Sequence, residues 1–185
     1  MACVCYLGAM RIREATRSDR DAINSIYSSA FPQGEVESVA EVAINLLSES
    51  TVPRTFSLVA ETEGALVGHV GFSPVSLGTD GTRQGYILAP LAVRPGNQNC
   101  GIGTELVKEG MRQLTAMGID MLFVYGDPRY YARYGFSDIE ARPYTPPYEL
   151  EYPFGWQGIA LGARGEEGAP VKIGCVSSLC HPTLW

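Results

Sequence analysis

Histidine is nearly missing from this chain. Only His69 and His181 occur among 185 residues, and they lie far apart. The five cysteines, Cys3, Cys5, Cys100, Cys175 and Cys180, fit no common disulfide framework, and Cys3-x-Cys5 is not a Cys-x-x-Cys pair. The usual zinc-ligand spacings are therefore absent, and no metal is expected. Free thiols in a reducing cytosol are the expected reading, and with them a cytoplasmic location. An excess of basic charge is lacking too. The net charge is −6 and the pI about 4.9, which argues against a nucleic-acid or anionic-membrane partner. No run approaches the ~20 apolar residues of a membrane span. Residues 1–9 lack a basic leader and a long apolar core, so they read as an extension rather than a signal peptide.

Apolar residues make up 45% of the chain and charged residues 18%, as in one globular domain with a real core. Met10–Ala15 reads as a short strand. Two stripes of helical period follow: Ala22, Ile23, Ile26, Tyr27 and Ala30, then Val36, Val39, Ala40, Ala43, Ile44 and Leu47. Ser18, with Asp21 three residues on, reads as the first helix cap. Three alternating strands come next: 55–61, 66–72 as far as Pro74, and 86–93, with Glu63-Gly64 as a hairpin turn and a polar loop at 78–84. A helix over 101–117 leads to a buried strand at 120–125, a crossover that makes strands 86–93 and 120–125 parallel neighbours. A short helix over 128–134 stops at Gly135, and 136–140 reads as a strand. The stretch beyond Ala141 alternates prolines with Tyr144, Tyr148, Tyr152, Phe154 and Trp156, and is expected to pack on the domain. Strands at 157–162 and 171–176 flank a turn at 164–169. The expected division is an extension at 1–9, a domain over 10–163 and a C-terminal segment, 164–185.

The residues with most to say are Leu91–Gly103. An apolar strand exits through Arg94-Pro95, a polar turn follows, and a helix opens at Gly101. Backbone N–H groups there converge on the positive end of a helix dipole, a place for a phosphate. A Walker A loop fails, because Thr104-Glu105 follows the last glycine where a Lys-Ser/Thr pair is needed. A dinucleotide fingerprint fails as well, because the turn comes late and Leu106 stands for the third glycine. A plain helix start remains open on this turn alone. Pro90 lies inside a strand, so it marks an edge, a bulge or a place where strands splay.

The order of these elements resembles the GCN5-related N-acetyltransferase (GNAT) family. Gln98-Asn99-Cys100-Gly101-Ile102-Gly103 is similar to its Arg/Gln-x-x-Gly-x-Gly/Ala turn, and Leu91-Ala92-Val93-Arg94-Pro95 to the strand exit before it. Residues 126–136, Gly-Asp-Pro-Arg-Tyr-Tyr-Ala-Arg-Tyr-Gly-Phe, look like its YhbS-like subgroup. The resemblance spans about residues 10–163. It implies an α/β fold with a mixed, mostly antiparallel, splayed sheet and helices on both faces. It also implies acetyl-CoA, or another acyl-CoA, as donor and a primary amine as acceptor. The backbone amides of Asn99, Cys100, Gly101, Ile102, Gly103 and Thr104 would hold the pyrophosphate, and the strand groups at Leu91, Ala92 and Val93 would meet the pantetheine arm. Family members are often dimers; a homodimer is left open here.

The implied reaction is attack of a neutral amine on a thioester. It needs oxyanion stabilisation and an acid for the departing thiolate, but no side-chain nucleophile. By position in the family pattern, the acid is Tyr131; a core tyrosine is the alternative. Asp127 stands where asparagine is common. His69 either accepts the amine proton, if its strand face lines the cleft, or is a structural histidine. Tyr144, Tyr148, Tyr152 and Trp156 either wall the acceptor cleft or pin the proline-rich segment. The rival function is a non-catalytic module that binds acyl-CoA.

Overall fold

A computed structural model describes residues 10–34, 36–78, 84–162 and 170–185. The extension 1–9, most of the polar loop and the turn at 164–169 lie outside those residues.

Four alternating segments form consecutive antiparallel strands, β1 (Arg11–Glu14), β2 (Phe56–Thr62), β3 (Ala65–Leu77) and β4 (Gln84–Val93). Helices α1 (Arg20–Ala30) and α2 (Val36–Leu46) join β1 to β2. At the β2–β3 hairpin Glu63 and Gly64 both take positive φ, 53° and 76°, which suits a tight hairpin of matching twist. Helix α3 (Ile102–Ala116) crosses over to β5 (Met121–Tyr125), which pairs parallel with β4. Two short helices, α4 (Pro128–Tyr131) and α5 (Asp138–Ala141), lead to β6 (Tyr144–Thr145). β7 (Trp156–Ala160) pairs antiparallel with β5, and β8 (Val171–Gly174) joins the end of β3 and β6.

The sheet is mixed and mostly antiparallel, with helices on both faces, as expected. Leu58, Val70, Phe72, Leu88 and Val124 pack under Leu106 and Leu114 of α3. On the other face Val59 and Ala92 pack under Ile23, Ile26 and Tyr27 of α1 and Ala43 of α2.

Three local expectations are corrected. Pro74 does not end β3, because it pairs with Tyr86 inside the ladder. Residues 136–140 do not form a strand. The Ser137 side chain accepts the Glu140 N–H and starts α5, leaving a single bridge to Gly158. The first cap is Thr16 with Asp19, two residues earlier than Ser18 with Asp21. Thr16 N–H donates to Asp19 at 2.8 Å, and Arg13 of β1 pairs with the same carboxylate.

The feature that matters for function is the end of the β4–β5 ladder. Pairing runs from Gly85–Met121 to Leu88–Val124 and stops. On the other side of β4 the register slips between Val70 and Phe72, which places an extra β4 residue at Ala89-Pro90. Beyond the bulge, β4 continues on β3 alone, and the two parallel strands separate as Pro90 suggested.

Candidate active site

The separated strands open a cavity of about 670 Å³. Leu91, Ala92 and Val93 form one wall, the turn residues 97–99 and 101–104 another, and Gly126, Asp127, Tyr130, Tyr131 and Arg133 a third. Arg94 fixes the direction of the first wall. Its N–H donates to Val67 of β3 at 2.8 Å, and its side chain donates to the Leu66 carbonyl and Ser25 of α1. Since strand groups alternate, Val93 and Leu91 present their own N–H and C=O away from β3, toward the gap. The Gln98 side chain already uses this edge, donating to the Val93 carbonyl at 3.0 Å.

The turn is shaped for an anion. Asn99 and Gly101 take φ of 61° and 81°, and Gly101 is the cap residue of α3 with no side chain to occupy the helix end. The first α-helical bond of α3 runs from Glu105 N–H to Gly101 C=O at 3.0 Å, so the N–H groups of Ile102, Gly103 and Thr104 precede the ladder. Backbone donors in left-handed and right-handed alternation make an anion-binding concavity. Gly103 is needed for a second reason, because a Cβ there would stand 2.5 Å from the Tyr130 hydroxyl.

The third wall is a tyrosine cluster. Tyr131 packs edge-on against Tyr130 and Phe136, and burial drives its phenol pKa well above the ordinary value, with Tyr134 adding to the shift. Tyr130 is pushed the same way, mainly by burial. The Tyr134 hydroxyl is 3.2 Å from that of Thr104, tying this wall to α3. Asp127 caps α4 by accepting the Arg129 N–H at 2.9 Å, a local job that a carboxylate performs as well as an amide.

Every predicted donor-binding residue except Cys100 lines the cavity, and so does Tyr131. Cys100 lies off the wall and is disulfide-bonded, contrary to the expectation of free thiols; Cys175 and Cys180 are free. His69 is also off the wall. Its strand face is covered by α1 and α2, and its Nδ1 meets the Tyr27 hydroxyl at 2.8 Å in full burial. Burial lowers its pKa to about 3, and Nε2 has no hydrogen-bond partner among the described residues. Among the aromatics of the proline-rich segment, Tyr144 and Trp156 are buried against Phe123, while Tyr152 is exposed. Sequence reasoning missed Arg133. Its guanidinium stacks 4.6 Å over the Tyr130 ring and supplies a cation to a cavity otherwise lined by neutral groups and Asp127. The signal was an arginine between Tyr131 and Tyr134 in the turn after α4, which periodicity alone does not distinguish from a solvated charge.

Among the described residues, no group of three or more His, Cys, Asp or Glu could hold a metal ion, and no helix is long and apolar enough to cross a membrane.

Residues 11–139 match the family model of the acetyltransferase (GNAT) domain. The chain is 32% identical over 152 residues to YjhQ of Escherichia coli, described as an uncharacterized N-acetyltransferase, covering 80% of this chain and 82% of that one. The solved structure of the GNAT-family N-acetyltransferase YhbS of Escherichia coli in complex with CoA superposes with a TM-score of 0.79 at 25% identity, covering 93% and 92% of the two chains. A GNAT-family acetyltransferase of Brucella melitensis in complex with acetyl-CoA gives 0.69 at 27% identity, with 92% and 97% covered.

Proposed function

The chain belongs to the GNAT acetyltransferase family and is thus an acyltransferase, and from that premise we propose that it moves an acetyl group from acetyl-CoA to a primary amine by direct attack. The observation that carries this reading is the pairing of an amide-lined turn with an opened strand edge in one cavity. In this reading the N–H groups of Asn99, Gly101, Ile102, Gly103 and Thr104 take the diphosphate, and Arg133 adds the cation that backbone dipoles lack. The pantetheine arm lies along Leu91 and Val93, and one of its amides replaces the Gln98 side chain on the Val93 carbonyl.

The chemistry then falls at the gap. A neutral amine attacks the thioester carbonyl carbon, and the oxyanion accepts a hydrogen bond from the Val93 N–H. Collapse breaks the C–S bond, and the thiolate meets the Tyr131 hydroxyl. Tyr131 serves as the acid for that thiolate. Its raised pKa keeps it protonated, so it stabilises the sulfur first as a hydrogen-bond donor. The amine proton leaves to water through the open cavity. His69 stays behind this wall, buried against Tyr27. Release of free CoA thiol from acetyl-CoA across a panel of small amines, amino acids and peptides tests the reading. Amine-dependent release is expected, and no release above the rate without amine would overturn it.

A further inference from the structure

The free cysteines sit together in the C-terminal segment, away from the cavity. Cys175 follows β8, and Cys180 follows a 3-10 turn over Ser177–Leu179. Their sulfurs are 3.3 Å apart, and the Cys180 thiol also donates to the Cys175 carbonyl at 3.4 Å. We propose that Cys175 and Cys180 form a modification site, a dithiol that closes to an intramolecular disulfide by exchange with a small-molecule disulfide.

Three observations carry this. The first is distance: a disulfide needs about 2.05 Å, so the sulfurs approach by only about 1.3 Å. The second is preorganisation. The turn between the two cysteines is pinned by Ser177 and Ser178, which donate to the carboxylate of Glu49 just beyond α2, and by buried Val176 and Leu179. The Trp185 indole N–H donates to the Leu179 carbonyl at 3.0 Å, one residue before Cys180. The thiols are therefore held near one another by tertiary contacts, which raises their effective concentration.

The third is asymmetry of access. Cys180 is exposed and Cys175 half-buried. Burial and the neighbouring sulfur push the Cys175 thiol up to about 12, so it keeps its proton while Cys180 reacts. The Cys180 thiolate attacks one sulfur of the oxidant and expels one thiolate, leaving a mixed disulfide. Cys175 then gives up its proton, attacks the Cys180 sulfur and expels the second thiolate. Two protein thiols are oxidised, one disulfide is reduced to two thiols, and the two protons pass to the leaving groups. The crosslink fixes a tail whose Trp185 ring stacks on Tyr125, the residue before Gly126 of the cavity wall.

Treatment of the full chain with oxidised glutathione, alkylation of remaining thiols and peptide mapping test the proposal. The expected product is a 175–180 crosslink without a lasting glutathione adduct, while Cys175→Ser stops at an adduct on Cys180. Closure of the folded chain should be at least ~10-fold faster than of the same chain in concentrated urea, since the fold does the positioning. A lasting adduct on wild-type Cys180, alkylation of both cysteines, or equal rates in urea would overturn it.

Discussion

The Tyr130 hydroxyl lies 2.5 Å from the point where a Cβ on Gly103 would stand. The phenol and the start of α3 therefore share one space, and only glycine leaves it to the tyrosine. Gly103→Ala should displace Tyr130 and narrow the turn, weakening acetyl-CoA about 10-fold, or ~1.4 kcal/mol. Adding Tyr130→Phe removes the colliding oxygen and should recover part of that loss in calorimetric titrations. Additive effects would show that the two residues do not compete for this space.

Tyr131→Phe should lower turnover about 10²-fold, within the range for a general acid, and leave donor affinity nearly intact. Because burial raises the Tyr131 pKa above its ordinary 10.0, the wild-type rate should show no alkaline fall from this group below pH 10. Equal turnover of the variant at saturating substrates would remove Tyr131 from the chemistry.

Arg133→Gln should weaken acetyl-CoA about 10-fold at low salt and less at high salt, as screening predicts for an exposed cation. The loss should vanish with a donor truncated to acetyl-pantetheine, which lacks the diphosphate. The same loss with the truncated donor would mean that Arg133 acts by packing on Tyr130.

His69 has a folded pKa of about 3 against 6.5 unperturbed, lowered by burial. The unfolded chain therefore binds the proton more readily than the folded one. The stability from keeping His69 neutral is fully present above pH 6.5 and is lost as pH falls from 6.5 toward 3, at up to ~1.4 kcal/mol per pH unit. Urea midpoints of wild type should fall between pH 7 and pH 5 by more than those of His69→Asn, and identical falls would contradict the buried neutral histidine. The rate profile should carry no inflection from His69 near pH 6.5.

Much of this was legible in the sequence because it is written in local signals. The Glu63-Gly64 turn takes the positive φ of a tight hairpin, Gly101 takes the left-handed position before α3, and Pro90, for which an edge, a bulge or a splay was open, sits at a bulge. What failed turned in one place on a local cap that overrode strand composition, and elsewhere on partners distant in sequence. The 136–140 stretch has strand composition, but the Ser137 cap took it into a helical turn. The strand face of His69 alternates as a cleft wall would, yet α1 and α2 cover it. Arg133 became a candidate only when its cavity wall met the turn from across the gap. Period and capping are properties of a segment, whereas burial and convergence are properties of the packed whole.

A crystal structure of the full chain with acetyl-CoA tests the central claim most directly. The account predicts the diphosphate on the N–H groups of Asn99 and Gly101 to Thr104, the arm along Leu91 and Val93, and the thioester sulfur within about 3.5 Å of the Tyr131 hydroxyl. A diphosphate bound elsewhere, or a thioester remote from both Val93 and Tyr131, would contradict it.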